Sequence, residues 1–116
     1  MSRVKRGVMT KKRHKRLLKK TKGYWGQRKN VYRRAQETSL RAMAYAFKGR
    51  KLQKRSMRSL FIVRVSAAVR QHGMSYNAFI HGLKIAQVEL DRKMLSQLAI
   101  FEPKAFAQLV VLARGL

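Results

Sequence analysis

From Ser59 onward the apolar residues recur at helical intervals. Tyr76, Phe79, Ile80 and Leu83 fall at i, i+3, i+4 and i+7, and Phe106, Leu109, Val110 and Ala113 repeat that spacing. Met94, Leu95, Leu98 and Ala99 share one face of a third predicted helix. Upstream of these, Leu60, Phe61, Ile62, Val63, Val65, Ala67, Ala68 and Val69 are apolar around most of a helix, which predicts cover by neighbours on several sides. The punctuation agrees with the periodicity. Gly73 suits a helix C-terminus and Ser75 the next N-cap, Asp91 suits the start of another helix, and Pro103 follows Glu102 at a favoured first helical position. Phe61, Tyr76, Phe79, Phe101 and Phe106 are expected in the core. Residues 59–116 therefore read as a small globular domain of four helical elements. No stretch shows the alternation of a strand, and no internal repeat is present.

Before Ser59 the pattern is different. Val4, Val8, Met9, Leu17 and Leu18 are isolated, too few to build a core, and this arm is expected to be disordered alone in water. Against a polyanion, the stretch from about Thr10 to Lys20 is expected to turn helical, because it lacks Gly and Pro and is rich in Lys, Arg and Leu. Gly23 and Gly26 bracket Tyr24 and Trp25 in a predicted bend. Asn30 is a candidate N-cap, after which only Gly49 interrupts good helix formers until Gly73, so a helix of about 40 residues and about 60 Å is predicted. Its first half has no clean apolar stripe. The expected fold is all-α: a long basic N-terminal extension and long helix leading into a small C-terminal helical domain.

Charge sharpens this division. The chain of 116 residues has 29 Lys plus Arg against 4 Asp plus Glu, a formal net charge of +25. Residues 1–58 hold 22 of the cations and Glu37 alone as an acid, a net +21, whereas residues 59–116 carry a net +4. Repulsion on this scale opposes compaction unless a polyanion supplies the missing negative charge. Nucleic acid is the first candidate partner. An anionic membrane fits less well: Leu60 to Val69 is shorter than the roughly 20 residues a span needs and is interrupted by Arg64, and the long helix lacks a broad apolar face opposite a basic one. The N-terminus has no apolar stretch of the secretory kind, so an intracellular protein is expected.

Catalytic chemistry has little to work with. There is no cysteine, hence no disulfide, thiolate nucleophile or cysteine zinc site. His72 and His81 lack ligands at metal spacing, Glu89 and Asp91 read as helix-start charges, and no phosphate-cradling glycine loop occurs. No enzyme, metal or cofactor is expected. Binding chemistry is abundant by contrast. The cations give a strip able to neutralise phosphates and release counterions. Tyr24, Trp25, Tyr32, Tyr45 and Phe47 lie among them where no core is expected, and stacking on unpaired bases is a physical use for such rings. A small hydrophobic contact is the alternative for those rings. Arg28, Arg33, Arg34, Arg41, Arg50, Arg55 and Arg58 are distributed around the long helix, as for a rod surrounded by RNA. A nucleoid-type DNA-binding protein remains the alternative on charge grounds.

Three motifs, Ser2 to Val8 (SRVKRGV), His14 to Arg28 (HKRLLKKTKGYWGQR) and Ser75 to Lys84 (SYNAFIHGLK), followed by Asp91, Arg92 and Lys93, resemble the family of the twentieth protein of the bacterial large ribosomal subunit. The resemblance runs nearly end to end, with departures at Phe61, Ser66 and Met74, where Trp, Asn and Leu are common. It implies a structural protein that binds large-subunit rRNA directly, acts early in subunit assembly, and lies beside neighbouring large-subunit proteins in the cytoplasmic ribosome, an organellar ribosome being the lesser alternative. Some bacterial members also bind and repress their own mRNA. The candidate rRNA-binding residues are Arg3, Lys5, Arg6, Lys11, Lys12, Arg13, His14, Lys15, Arg16, Lys19, Lys20, Lys22, Tyr24, Trp25, Arg28, Lys29, Tyr32, Arg33, Arg34, Arg41, Arg50, Lys51, Lys54, Arg55 and Arg58.

Overall fold

Good helix formers and few breakers give a chain of helices. In the computed structural model these are α1 (Gly7–Lys20), a 3₁₀ turn (Gly26–Lys29), α2 (Tyr32–Gln71), α3 (Tyr76–Ile85), α4 (Arg92–Phe101) and α5 (Pro103–Arg114). The structure describes residues 3 and 5–115; Met1, Ser2, Val4 and Leu116 lie outside the described residues, and with them part of the SRVKRGV motif. Among the described residues there is no strand, and the fold is all-α. The chain divides into two compact units, residues 1–51 and 52–116.

In the first unit α1 begins three residues before the predicted start at Thr10 and contains no buried residue. Its half-buried positions, Thr10, His14, Leu17 and Leu18, continue through fully buried Thr21 at i, i+4, i+7, i+8 and i+11. That spacing is one helical face. Lys11, Lys12, Arg13, Lys15, Arg16, Lys19 and Lys20 occupy the remaining arc, about 200° at 100° per residue. The Thr21 hydroxyl donates back to the Leu18 carbonyl at 3.3 Å, so its burial leaves no unpaired donor. On α2 the inner positions are Tyr32, Ala35, Ser39 and Ala42. The first half of α2 thus has no clean apolar stripe, as expected, but an inner face of mostly small residues that hydropathy alone does not mark. Asn30 does not cap α2: it closes the 3₁₀ turn by donating to Gln27, and Val31 takes the position at which the first α2 amide, from Ala35, is accepted.

The second unit has the core. Val65 and Val69 from α2, Phe79 and Leu83 from α3, Leu95 from α4, and Phe106, Val110 and Ala113 from α5 are buried together, with Tyr76, Ile80, Val88, Leu90, Leu98 and Leu109 packed around them. The Phe79 and Phe106 rings meet at 5.5 Å between centroids, tilted by 44°. α3 and α5 lie close together at Gly82, where an added Cβ would clash with the Ala113 backbone. Three expectations need correction. The apolar girdle of Leu60–Val69 is covered on one side only, leaving Val63 and Leu60 exposed, because α3 and α5 are too short to wrap a helix. Phe101 is 74% exposed: as the last residue of α4 it lies off the Leu95–Leu98 face, while Phe61 and Tyr76 are half-buried. Met94 is likewise exposed. The predicted boundaries at Gly73, Ser75 and Pro103 are where the helices break, with the Ser75 hydroxyl accepting from the Ala78 amide at 3.3 Å. Arg114 donates through Nη2 to the His72 carbonyl, tying the end of α5 to the end of α2.

Candidate nucleic-acid interface

A surface that meets a polyanion needs cations left free by the protein itself. Every candidate residue from Arg3 to Arg58 is exposed except His14, Tyr24 and Tyr32, which are half-buried. Among the described residues there is one ion pair, Arg41 with Glu37 at 3.3 Å, and the other candidate cations are unpaired. In α2 the exposure is continuous: each of the 18 residues from Met43 to Leu60 is exposed, Tyr45, Phe47 and Leu52 included. A helix with no buried residue over five turns cannot be held by core packing.

The aromatic candidates separate into two kinds. Tyr32 is explained by protein contact, since its ring stacks on His14 at 3.9 Å between centroids and 25° between planes, joining the inner faces of α1 and α2. Trp25 is 88% exposed. It stands between Gly23 and Gly26, both in the left-handed region at φ +87° and +59°, a double bend that other residues adopt only with strain. Phe47 lies beneath the Lys51 ammonium, 4.4 Å from its ring centroid, which joins a cation to a stacking face.

Clefts within each unit gather these groups. Within the first unit Arg28, Arg34 and Arg41 surround Glu37, Thr38 and Tyr45 in a cleft of about 290 Å³. Within the second unit a cavity of about 480 Å³ is lined by Gln53, Lys54, Met57, Arg58 and Phe61 from α2 and by Asp91, Arg92 and Lys93 at the start of α4. Asp91 occupies the N-cap position, yet its side chain makes no capping bond, which leaves the first α4 amides facing outward. The Arg92 Nε–H is buried without a partner, a cost of about 1–3 kcal/mol.

Arg92 and Lys93 are functional candidates that periodicity missed, because they are lone cations in an apolar half. Their signal was the DRK run itself. Lys48 was missed too, although it shares a shallow cleft with Arg41 and Tyr45. Among the described residues no group of His, Asp or Glu is placed to hold a metal, and no helix is long and apolar enough to cross a membrane.

Comparison with known proteins gives a consistent match. The family profile described as Ribosomal protein L20 matches residues 3–109. The chain is 54% identical over 114 residues to a Large ribosomal subunit protein bL20 from Thermomicrobium roseum, covering 98% of this chain and 97% of that one. It is 50% identical over 114 residues to the protein of that name from Caldanaerobacter subterraneus, covering 98% and 96%. The counterpart from Francisella philomiragia is 53% identical over 115 residues, covering 99% and 98%.

Proposed function

The chain belongs to the ribosomal protein L20 family of structural, non-enzymatic constituents of the large ribosomal subunit, and from that premise we propose that it binds large-subunit rRNA directly and supports early subunit assembly. The observation that carries this reading is the run of exposed helix from Met43 to Leu60. Its six cations, Lys48, Arg50, Lys51, Lys54, Arg55 and Arg58, fall within an arc of about 160° at 100° per residue rather than around the whole helix, and none of its residues is buried, which suits a rod that lays one charged face along RNA. Residues 1–58 then act as the rRNA-binding extension. Their charge offsets the repulsion between phosphates, so that separate RNA helices approach one another.

Residues 59–116 form the domain that sets the register, with the α2–α4 cavity as a second contact. There Lys54, Arg58, Arg92 and Lys93 meet phosphates, and Phe61 offers an apolar wall. The site of action is the cytoplasmic ribosome, beside other large-subunit proteins. Any RNA presenting the same fold would meet the same surface, the chain's own messenger included.

Binding of an rRNA fragment by the full chain and by a chain beginning at Ser59, across a salt series, tests the role of the extension. The full chain is expected to bind more tightly and with a steeper salt dependence. Equal affinities and equal slopes remove the extension from the interface. Competition with duplex DNA at the same salt separates rRNA binding from the nucleoid-type alternative, and competition with the messenger leader tests the regulatory extension.

A further inference from the structure

Glu37 is the only acid in the first 88 residues, and it lies inside a cleft otherwise built to attract phosphate. A carboxylate facing an RNA backbone is repelled, so its place there calls for a neutral partner rich in donors. Arg34, Thr38, Arg41 and Tyr45 recur at i, i+4, i+7 and i+11 along one face of α2, with Glu37 beside them and Arg28 contributed by the 3₁₀ turn. The Thr38 hydroxyl is already spent, donating to the Arg34 carbonyl at 2.8 Å. Glu37 keeps 63% of its side chain exposed while pairing with Arg41, and among the described residues it accepts no hydrogen bond. A carboxylate has about four acceptor positions, so one arginine leaves most of them open. Tyr45, 70% exposed, offers a ring at the same cleft.

The geometry points to this cleft as a reader of one unpaired guanine, an assignment that rests on the RNA-binding reading above. Guanine alone presents two adjacent donors, N1–H and the N2 amino group, on its Watson–Crick edge, matching the two oxygens of one carboxylate. Cytosine and adenine offer a single amino donor there. In this site Glu37 accepts from N1 and N2, Tyr45 stacks on the base, and Arg28, Arg34 and Arg41 hold the flanking phosphates. Glu37 is then the residue that supplies specificity to a surface whose other contacts are indifferent to sequence.

Four RNA hairpins that differ only in one unpaired loop nucleotide, bound by the full-length chain at matched salt, provide the test. The wild-type chain is expected to favour the guanine hairpin by about tenfold, the scale of one bidentate base contact. E37Q is expected to lose that preference while binding the other three hairpins as well as before or better, and Y45A to weaken all four. Equal wild-type binding of the four overturns the assignment and leaves the RNA reading intact. A uniform rise in affinity in E37Q, with the guanine preference kept, also overturns it, because Glu37 would then act only by charge. Binding of none of the four overturns both readings.

Discussion

The α3–α5 contact leaves no room for a methyl group at Gly82. Its added Cβ would clash with the backbone of Ala113, and a backbone cannot swing aside as a long side chain does. Gly82→Ala is therefore expected to destabilise the C-terminal unit by about 1–3 kcal/mol, measured by urea denaturation, without changing the charge that RNA meets. The opposite sign is expected at Gln87. Gln87 and Val88 donate to Lys84 and Leu83, closing α3 with Gln87 at φ 53°, a conformation that costs a residue with a Cβ about 1–2 kcal/mol. Gln87→Gly should raise stability by somewhat less than that, roughly 0.5–1 kcal/mol, since glycine also loosens the unfolded chain. Neither position stands out in the sequence. Gly82 sits in mid-helix, where only the approach of another backbone explains it, and nothing in Gln87 marks a left-handed residue. Phe79 and Phe106 were legible as core because each belongs to a set of apolar residues spaced at i, i+3, i+4 and i+7. Phe101 is as apolar as they are, but its angular position at the end of α4 takes it off the buried face.

Helices differ in what holds them. α3 and α5 pack on each other around buried side chains, whereas α1 has none, and a free helix of 14 residues is marginal in water. The His14–Tyr32 stack joins α1 to α2, so His14→Ala is expected to lower helix content by circular dichroism in the free chain and to leave the RNA-bound content nearly unchanged. A parallel contrast belongs to α2. The run from Met43 to Leu60 has no buried residue, so its amides should exchange with solvent far sooner than those around Val65 and Val69, until rRNA is added and the difference narrows. The existence and length of α2 were readable from the absence of proline. Its start was not, because the 3₁₀ turn takes Asn30 for itself. The inner stripe of Tyr32, Ala35, Ser39 and Ala42 also escaped notice, since small residues pack closely while scoring as nearly neutral.

For the molecule as a whole, two boundaries matter and they do not coincide. Charge divides the chain after Arg58, and packing divides it after Lys51. The seven residues between, Leu52 to Arg58, bring Gln53, Lys54, Met57 and Arg58 to the cavity that Asp91, Arg92 and Lys93 complete, so on the reading above they belong to the C-terminal unit in structure and to the RNA-binding set in function. Truncation separates the two roles. A chain starting at Leu52 keeps all four cavity cations, and one starting at Ser59 keeps only Arg92 and Lys93. If the cavity is an RNA contact, removing Lys54, Arg55 and Arg58 should reduce the slope of log K against log salt by about 0.7–0.9 for each phosphate released, at most about three units. It should also cost affinity at high salt, where unspecific attraction has faded but the Phe61 wall and the α4 amides still need RNA held against them. The two truncated chains should unfold at similar urea concentrations, because the buried core begins at Val65. Equal binding at every salt concentration would instead confine RNA contact to the extension and leave the cavity outside the interface.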